Sequence, residues 1–408
     1  LIAVGVIIVV IVVGYVLLRS DTPSQSKNSQ PTPQSQTENS EQMNELAMYW
    51  SRGKCEGTGT VEFGALPMAL DDFSIYIPYG LMIDAHVTPI DHGYFEPANR
   101  SLGRDVYEVH AIADGYIVEI GERTQSVNGQ AQQGEYRIIF EHSCTFYSYV
   151  DLVTSLTPEI KTTFDEAKDN SGTAVVRIPV SEGQVIGRIG GQTLDFGVYN
   201  ADVTLGFISP ELYTGEFWKI HTDDPFLYFK EPLKQQLIAK NIRTTEPISG
   251  KIDYDQEGKL IGNWFKEGTH GYQGTRQDKY WDGHLAIVPD HIDPRLIIVS
   301  IGDFNGETKQ FAVGNVDFDP SKIDSSTGFM AIQLNEIEYT DEATGDHLSV
   351  DSQMLGKKVK AIASGMYQGM LLIQIHEDGK LEVEAVSKDI LFVKEPTSFM
   401  GNSVIYER

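Results

Sequence analysis

Basic residues are scarce in this sequence of 408 residues, and the shortage argues against one large class of partner. Lys and Arg together number 32 against 58 Asp and Glu, which leaves a formal net charge of −26 with neutral histidine. Such a charge is repelled by phosphate backbones and by anionic lipid head groups. We therefore expect no nucleic-acid partner. The acidity serves either to keep an exposed protein soluble or to bind a cation.

Cysteine is almost missing as well, since the chain contains only Cys55 and Cys144. These two residues either form one disulfide, which persists in an oxidising compartment, or remain two separate buried thiols. A disulfide across so long a loop would stabilise the fold by about 4 kcal/mol in the chain-entropy model. Sequence alone sets no distance between the two residues, so both alternatives stay open.

Residues 1–18, LIAVGVIIVVIVVGYVLL, lack charged side chains altogether and form one long apolar run. At about 1.5 Å per residue, a helix of this length spans about 27 Å and nearly crosses a bilayer core. A cleaved signal peptide is the alternative, but its apolar region is usually shorter and ends in a small-residue cleavage site, which is missing after Leu18. We therefore expect a single-pass anchor in the cell membrane, with the bulk of the chain extracytoplasmic.

Residues 19–46 have few apolar side chains and are dominated by Ser, Gln, Thr, Asn and Pro, which predicts a disordered polar linker. From residue 47 onward, short Val, Ile, Tyr and Phe runs broken by Gly, Asp and Asn predict strands and turns. The expected fold class is mainly β. A transmembrane helix precedes a β-sandwich domain over 47–245 and an antiparallel β-barrel or sandwich over 246–408.

Individual elements are predicted from local patterns. Thr157 and Pro158 predict the start of a helix that runs to about Lys168, and Glu231–Asn241 has a second helix-like pattern. The strongest strand patterns are Tyr107–Ile120, Tyr136–Phe140, Phe146–Val153, Val185–Ile189, Leu371–Ile375 and Leu381–Val386.

Two glycine-containing motifs in the first domain point to a family. They are VHAIADGYI at Val109–Ile117 and EGQVIG at Glu182–Gly187. The first resembles the V-x-A-x-x-D-G-x-V hairpin, and the second the G-x-x-I-G turn, of lysostaphin-type (LytM-like) zinc metallopeptidases, which are envelope endopeptidases that cut peptidoglycan cross-bridges. The resemblance covers residues 78–200 and implies a peptidase-like β-sandwich, in which the Asp-Gly pair allows a tight hairpin.

The resemblance also implies where catalytic groups belong. Active members hold zinc with a His, an Asp four residues later and the second His of a late H-x-H motif, and further catalytic histidines stand in that motif and in a Y-x-H element. Here the late motif is TLD at Thr193–Asp195, and the Y-x-H element is YSY at Tyr147–Tyr149. The resemblance therefore places Asp195 at a zinc-ligand position and implies that the catalytic histidines are absent.

The early zinc element corresponds to HVTPIDH at His86–His92, where Asp91 follows His86 by five residues instead of four. Imidazole and carboxylate groups suit zinc, so one hypothesis is a metal site built from His86 or His92 with Asp91 and Asp195. The other hypothesis is a buried hydrogen-bonded cluster of the same side chains that only stabilises the domain. Even with zinc, the site would lack the general base that hydrolysis needs.

The C-terminal half concentrates aromatic residues, histidines and carboxylates between residues 258 and 306. Aromatic planes stack on sugars or apolar groups, and imidazoles fix polar ones, so this segment predicts a ligand face. The alternative is that the same large side chains only pack the corners of a barrel. The candidate ligand-binding residues are Trp264, His270, Tyr272, Trp281 and His284.

Three functions are compatible with these features. The expected one is a membrane-anchored extracytoplasmic protein whose inactive peptidase-like domain binds an envelope polymer, a glycan or a surface protein, with zinc as the candidate cofactor. The alternative is a zinc-dependent endopeptidase acting on cell-wall or surface-protein amide bonds. A filament subunit is disfavoured because the linker would not transmit rigid packing. Binding is preferred to hydrolysis because losing a general acid or base costs about 10² to 10⁴ in rate.

Overall fold

The computed structural model describes residues 44–123, 126–127, 130–131, 134–390 and 396–408. Within these residues the α-helices are short: α1 is Glu45–Trp50, α2 is Pro158–Ala167 and α3 is Leu233–Ile238. The remaining helical turns are of the 3-10 type, at Arg100–Leu102, Pro210–His221, Pro225–Leu227, Gly271–Gln273, Gln277–Gly283, Pro320–Lys322, Ser325–Thr327 and Ser352–Met354.

The first half of the described chain contains three sheets. Its strands are β1 Phe73–Ile77, β2 Gly93–Pro97, β3 Tyr107–His110, β4 Gly115–Arg123, β5 Ser126–Val127, β6 Gln130–Ala131, β7 Glu135–Ser143, β8 Phe146–Val153, β9 Ser155–Leu156, β10 Thr173–Val180, β11 Val185–Ile189 and β12 Leu194–Asn200. The large sheet has the order β1-β2-β12-β8-β7-β4-β10, a smaller one has the order β3-β11-β9, and β5 pairs with β6.

The middle of the large sheet carries the buried core of this half. Every residue of β12 is buried, because β2 and β8 flank the strand. Phe196 of β12 packs against Phe95 of β2, and apolar residues of the smaller sheet such as Val109 and Ile186 join the same hydrophobic cluster. Polar side chains on β12 are therefore held at fixed positions in the interior.

The second half is a closed barrel of eight antiparallel strands in chain order. They are β13 Gly262–Lys266, β14 His284–Pro289, β15 Ile297–Phe304, β16 Glu307–Val313, β17 Met330–Asp341, β18 Val359–Ile375, β19 Leu381–Ser387 and β20 Val404–Glu407. Pairing of Lys266 with Tyr406 closes the ring, which leaves no exposed sheet edge. Trp264, Leu285 and Ile332 are among the side chains that fill its interior.

The Asp-Gly motif does not form the predicted hairpin, because β3 and β4 belong to different sheets. Gly115 instead lets the chain pass from one sheet to the other, since a Cβ atom there would lie 2.4 Å from the carbonyl oxygen of Glu141. The two family-like motifs do contact each other. The backbone N–H of Gly183 donates to the carbonyl of Ala111 at 2.8 Å, and that of Ala111 donates to Gln184 at 2.9 Å.

The predicted fold class, which placed a transmembrane helix ahead of two β domains, is corrected by the structure. No helix in the described part of the chain combines the length and the apolar character that a membrane crossing requires. The apolar segment 1–18 lies outside the described residues. What the structure contains is a mainly β arrangement with a closed eight-stranded barrel. The linker predicted over 19–46 also overlaps α1, in which Leu46 is fully buried.

The first half of the described chain and the barrel pack together through polar as well as apolar contacts. The amide of Asn263 donates to the hydroxyl of Tyr213 at 2.9 Å, and the guanidinium of Arg243 donates to the carbonyl of His291 at 2.8 Å. Residues 44–408, where described, accordingly belong to one compact unit.

Candidate functional site

Three of the four predicted metal ligands lie in the segment that precedes β2, and Asp195 lies on β12. Asp195 pairs with Tyr94 of β2 on one side and with Asp151 of β8 on the other. Asp91, His92 and Asp195 are 3%, 6% and 5% exposed, whereas His86 is half-buried. The fold therefore gathers Asp91, His92 and Asp195 in the interior.

His92 stands between the two carboxylates and faces each with a different ring nitrogen. Nδ1 lies 3.4 Å from Oδ1 of Asp91, and Nε2 lies 3.5 Å from Oδ2 of Asp195. The two nitrogens of one imidazole direct their lone pairs away from each other, so one ion cannot bind His92 together with both carboxylates. The ring of His86 meets that of His92 edge-to-face at 6.0 Å between centroids.

The donor set does not fit a zinc ion in this arrangement. Among the described residues, no group of three or more His, Cys, Asp or Glu side chains is arranged to hold a metal. Structural and catalytic zinc sites need at least three protein ligands around one point. Three of the predicted ligands instead lie in a row from Asp91 through His92 to Asp195.

Asp91 is engaged by a buried lysine that the sequence motifs do not contain. The ammonium of Lys219, itself 3% exposed, donates to Oδ1 of Asp91 at 2.6 Å, and the hydroxyl of Tyr199 donates to Oδ2 at 2.9 Å. Burial raises the pKa of Asp91, but Lys219 and His92 together outweigh it and hold that pKa well below its usual range. Both oxygens of Asp91 therefore already have strong donors.

Asp151 forms a second buried ion pair next to the first. Its carboxylate lies 2.5 Å from Arg123 and 3.2 Å from Arg137. The guanidinium of Arg137 also lies 4.9 Å from the centroid of the Tyr149 ring. The signal in the sequence is weak. Asp151 is an acidic residue in the otherwise uncharged strand FYSYVDLV, and nothing local identifies its partners.

Asp195 is less well satisfied than the other two carboxylates. Its Oδ1 has no hydrogen-bond partner among the described residues. Burial raises the pKa of Asp195 to about 6, which the facing His92 only partly offsets. The carboxyl group is therefore close to its protonation midpoint at mildly acidic pH.

Charges of both signs meet in this cluster, and the half-buried Glu216 also lies 3.3 Å from the Lys219 ammonium. The carboxylates of Asp91, Asp151 and Asp195 face the cations of Lys219, Arg123 and Arg137. Buried charges are tolerated in a protein when they are paired and hydrogen-bonded, as those of Asp91 and Asp151 are here. We call these six residues and His92 the charged cluster.

The barrel half covers the charged cluster. The Lys219 ammonium lies 4.9 Å from the centroid of the Tyr272 ring, and that ring packs against the ring of His284 at 4.9 Å. Nε2 of His284 lies 3.0 Å from the carbonyl oxygen of Tyr272. Tyr272 and His284 therefore seal the interior and are not available to an external ligand.

The remaining predicted ligand-face residues lie in different surroundings. Trp264 is 1% exposed inside the barrel, where its indole N–H donates to the carbonyl of Leu260 at 2.9 Å. Trp281 is half-buried, and His270 is exposed in a left-handed turn. The five candidates do not converge on one open face. Trp264, Tyr272 and His284 are packed in the interior, as the alternative hypothesis of a packing role expects.

The two cysteines form a disulfide, Cys55–Cys144. It joins the segment after α1 to the turn between β7 and β8, where the Asn44 side chain also donates to the carbonyl of Cys144 at 2.7 Å. Ser51 at the end of α1 hydrogen-bonds both Glu141 and Tyr147. The first described helix is thus tied covalently and by hydrogen bonds to the large sheet.

Comparisons with known proteins give weak structural neighbours only. No family model matches the chain, and no curated protein matches it. Two crystal structures of Helicobacter pylori Csd3 match at 14% and 15% identity, each over 42% of this chain and with a TM-score of 0.24. The match spans 33% and 35% of those chains, about a third of their length. The solution structure of lysostaphin matches at 13% identity over 74% of this chain and 100% of its own, with a TM-score of 0.23. These similarities are too low to carry a fold or a function to this chain.

Proposed function

We propose that the protein is a non-catalytic binding protein of an oxidising, extracytoplasmic compartment, which holds an envelope polymer, a glycan or a surface protein without cutting it. The observation that carries this proposal is the position of Lys219. Its ammonium donates to Asp91 at 2.6 Å, at the place where the sequence resemblance assigns a zinc ligand. A cation that is part of the fold thus stands where a metal-dependent hydrolase needs a divalent ion.

Hydrolysis requires a general base within reach of a water molecule and room for the scissile bond. In the charged cluster, Asp91 is hydrogen-bonded to the buried Lys219, and Asp151 to the half-buried Arg123 and Arg137. Tyr272 of the barrel half lies over Lys219. No carboxylate in the cluster is more than 5% exposed. These contacts favour a structural role for the residues that resemble a catalytic site.

The disulfide between Cys55 and Cys144 supports the proposed location, because such bonds persist in oxidising compartments. The formal charge of −26 supports a partner that is neither nucleic acid nor an anionic surface.

Co-sedimentation with purified, insoluble envelope material tests the proposal. We expect the purified chain to sediment with that material and to release no new amino termini over hours, with or without added zinc ions. Release of amino termini that stops in an Asp195→Ala variant would establish the endopeptidase alternative. Failure to sediment with any envelope preparation would contradict the binding role.

A further inference from the structure

A cavity of about 280 Å³ lies at one mouth of the barrel, away from the charged cluster. It is bordered where β13 and β15 end and where β14 and β20 begin. Its volume is just below the range for small-molecule sites, about 300 to 1,000 Å³. A ligand of a few non-hydrogen atoms, or the chain end of a larger partner, would fit there, whereas a folded domain or the middle of a polymer strand would not enter.

The floor of the cavity is apolar and belongs to the barrel core. Ile301, Val383 and Tyr406 line it and are 2%, 1% and 3% exposed. One wall of the cavity is positioned by a close approach between two backbone segments. A Cβ atom at Gly302 would lie 1.8 Å from the carbonyl oxygen of Trp281, so the glycine allows the 277–283 segment to lie directly on β15. The neighbouring Asp282 is thereby held at the rim.

The rim carries charges of both signs. Asp282 and Asp303 contribute carboxylates, and Lys266 contributes an ammonium. One oxygen of Asp303 accepts from the backbone N–H of Gly306 at 2.7 Å, and Asp282 lies 3.5 Å from Arg276. The amides of Asn305 and Asn402 add neutral hydrogen-bonding groups.

We infer that the barrel mouth binds a small zwitterionic ligand, an amino acid or a short peptide. Its ammonium group would face Asp282 and Asp303, its carboxylate would face Lys266, and its side chain would rest on the apolar floor. A neutral sugar would cover these charges without compensating them, which costs free energy. A simple cation or anion would match only one sign. The inference rests on the proposed function, because it names the chemical group of the envelope partner that the protein would hold.

Titration calorimetry with alanylalanine at pH 7 tests this assignment. We expect saturable binding of the dipeptide, and at least about tenfold weaker binding of the N-acetyl, methylamide form, which carries no charge. Asp303→Asn and Lys266→Gln should each weaken dipeptide binding about tenfold and leave the weak binding of the blocked form unchanged. Asp317→Asn and Lys360→Gln remove the same charges from exposed positions outside the cavity and should change neither affinity.

Three results would overturn the inference: no saturable dipeptide binding, equal affinity for the blocked form, or full affinity in both rim variants. Circular dichroism of each variant establishes that it is folded. The sedimentation assay separates this inference from the proposed function. Dipeptide binding without envelope binding would contradict the proposed function alone. Envelope binding that is unchanged in variants that bind no dipeptide would show that the barrel mouth is not the site that holds the envelope partner.

Discussion

Lys219 and Asp91 form an ion pair in which both side chains are 4% exposed. Removing one partner of such a pair leaves an uncompensated charge in the interior, which typically costs about 3 to 5 kcal/mol. We therefore expect Lys219→Met to lower the free energy of unfolding by about that amount, measured by urea denaturation of the full chain.

The matched control uses an exposed pair of the same chemistry on α2, Lys161 and Asp165, whose side chains are 38% and 43% exposed. Lys161→Met should cost less than about 1 kcal/mol, because solvent screens this pair. The double change Lys219→Met with Asp91→Leu should cost less than the sum of the two single changes, because it removes both charges. Equal losses for Lys219→Met and Lys161→Met would show that the buried pair is not an interior ion pair.

Asp195 predicts a pH dependence of stability. Its pKa is raised to about 6 by burial, among the facing groups His92, Asp151, Arg123 and Arg137. Because the folded pKa exceeds the unfolded one, the folded state binds the proton more tightly. The stability from this group is complete below about pH 4 and is lost as the pH rises past about 6.

Asn at this position cannot ionise, so Asp195→Asn should gain about 2 kcal/mol relative to the wild type between pH 4 and pH 7. Urea denaturation at both pH values measures the difference. Asp317→Asn is the exposed control and should show no such change. An Asp195→Asn effect that is the same at pH 4 and pH 7 would mean that Asp195 does not titrate in this interval.

The sequence identified only part of the charged cluster. The family-like motifs singled out Asp91, His92 and Asp195, and these do lie in one row. Lys219 is 128 residues from Asp91, and its segment has no motif that relates the two. A lysine in a 3-10 helix is ordinarily solvent-exposed, and here Tyr272 of the barrel packs over the Lys219 ammonium.

Among the elements, the disulfide gives a direct prediction. Cys55 and Cys144 are 89 residues apart, and closing a loop of that length should contribute about 4 to 5 kcal/mol in the chain-entropy model. The double variant Cys55→Ser with Cys144→Ser should lose most of this stability, as measured by urea denaturation.

Reduction of the wild type by dithiothreitol should lower its stability to that of the double serine variant and should leave that variant unchanged. Either single serine variant should resemble the double one, since each breaks the same crosslink. Wild-type stability that is insensitive to the reductant under denaturing conditions would contradict this contribution.

Individual strands could be predicted from local sequence patterns, but the pairing of those strands into sheets could not. The predicted strands Phe146–Val153 and Val185–Ile189 are present with those bounds, because a short run rich in Val, Ile, Tyr and Phe between turn residues suffices to define a strand. Tyr107–Ile120 was predicted as one strand in a hairpin but is split between two sheets. Pairing partners are chosen by contacts across the chain, and a tight turn alone cannot select them.

For the whole molecule, the sequence predicts a boundary between two domains at 245 and 246, while contacts cross it at many points. Backbone N–H groups of Gly206 and Ile208 donate to the carboxylates of Asp253 and Asp255 at 2.8 and 3.3 Å. Tyr213 stacks near Tyr272, with 5.8 Å between ring centroids. Neither half can release the other without exposing these groups, so we expect both halves to unfold together.

The four tryptophans allow a test of this coupling, because Trp50 and Trp218 lie in the first half and Trp264 and Trp281 lie in the barrel half. In each of two variants, both tryptophans of one half are replaced by Phe. Fluorescence of the remaining tryptophans then reports on the other half, and far-ultraviolet circular dichroism reports on both halves. Within each variant we expect the two urea transitions to coincide, as in a two-state transition. Because the comparison is made within one variant, any destabilisation by the replacements shifts both signals equally. Separate midpoints within a variant would mean that the shared interface is too weak to couple the halves, and that the charged cluster can open while the barrel stays folded.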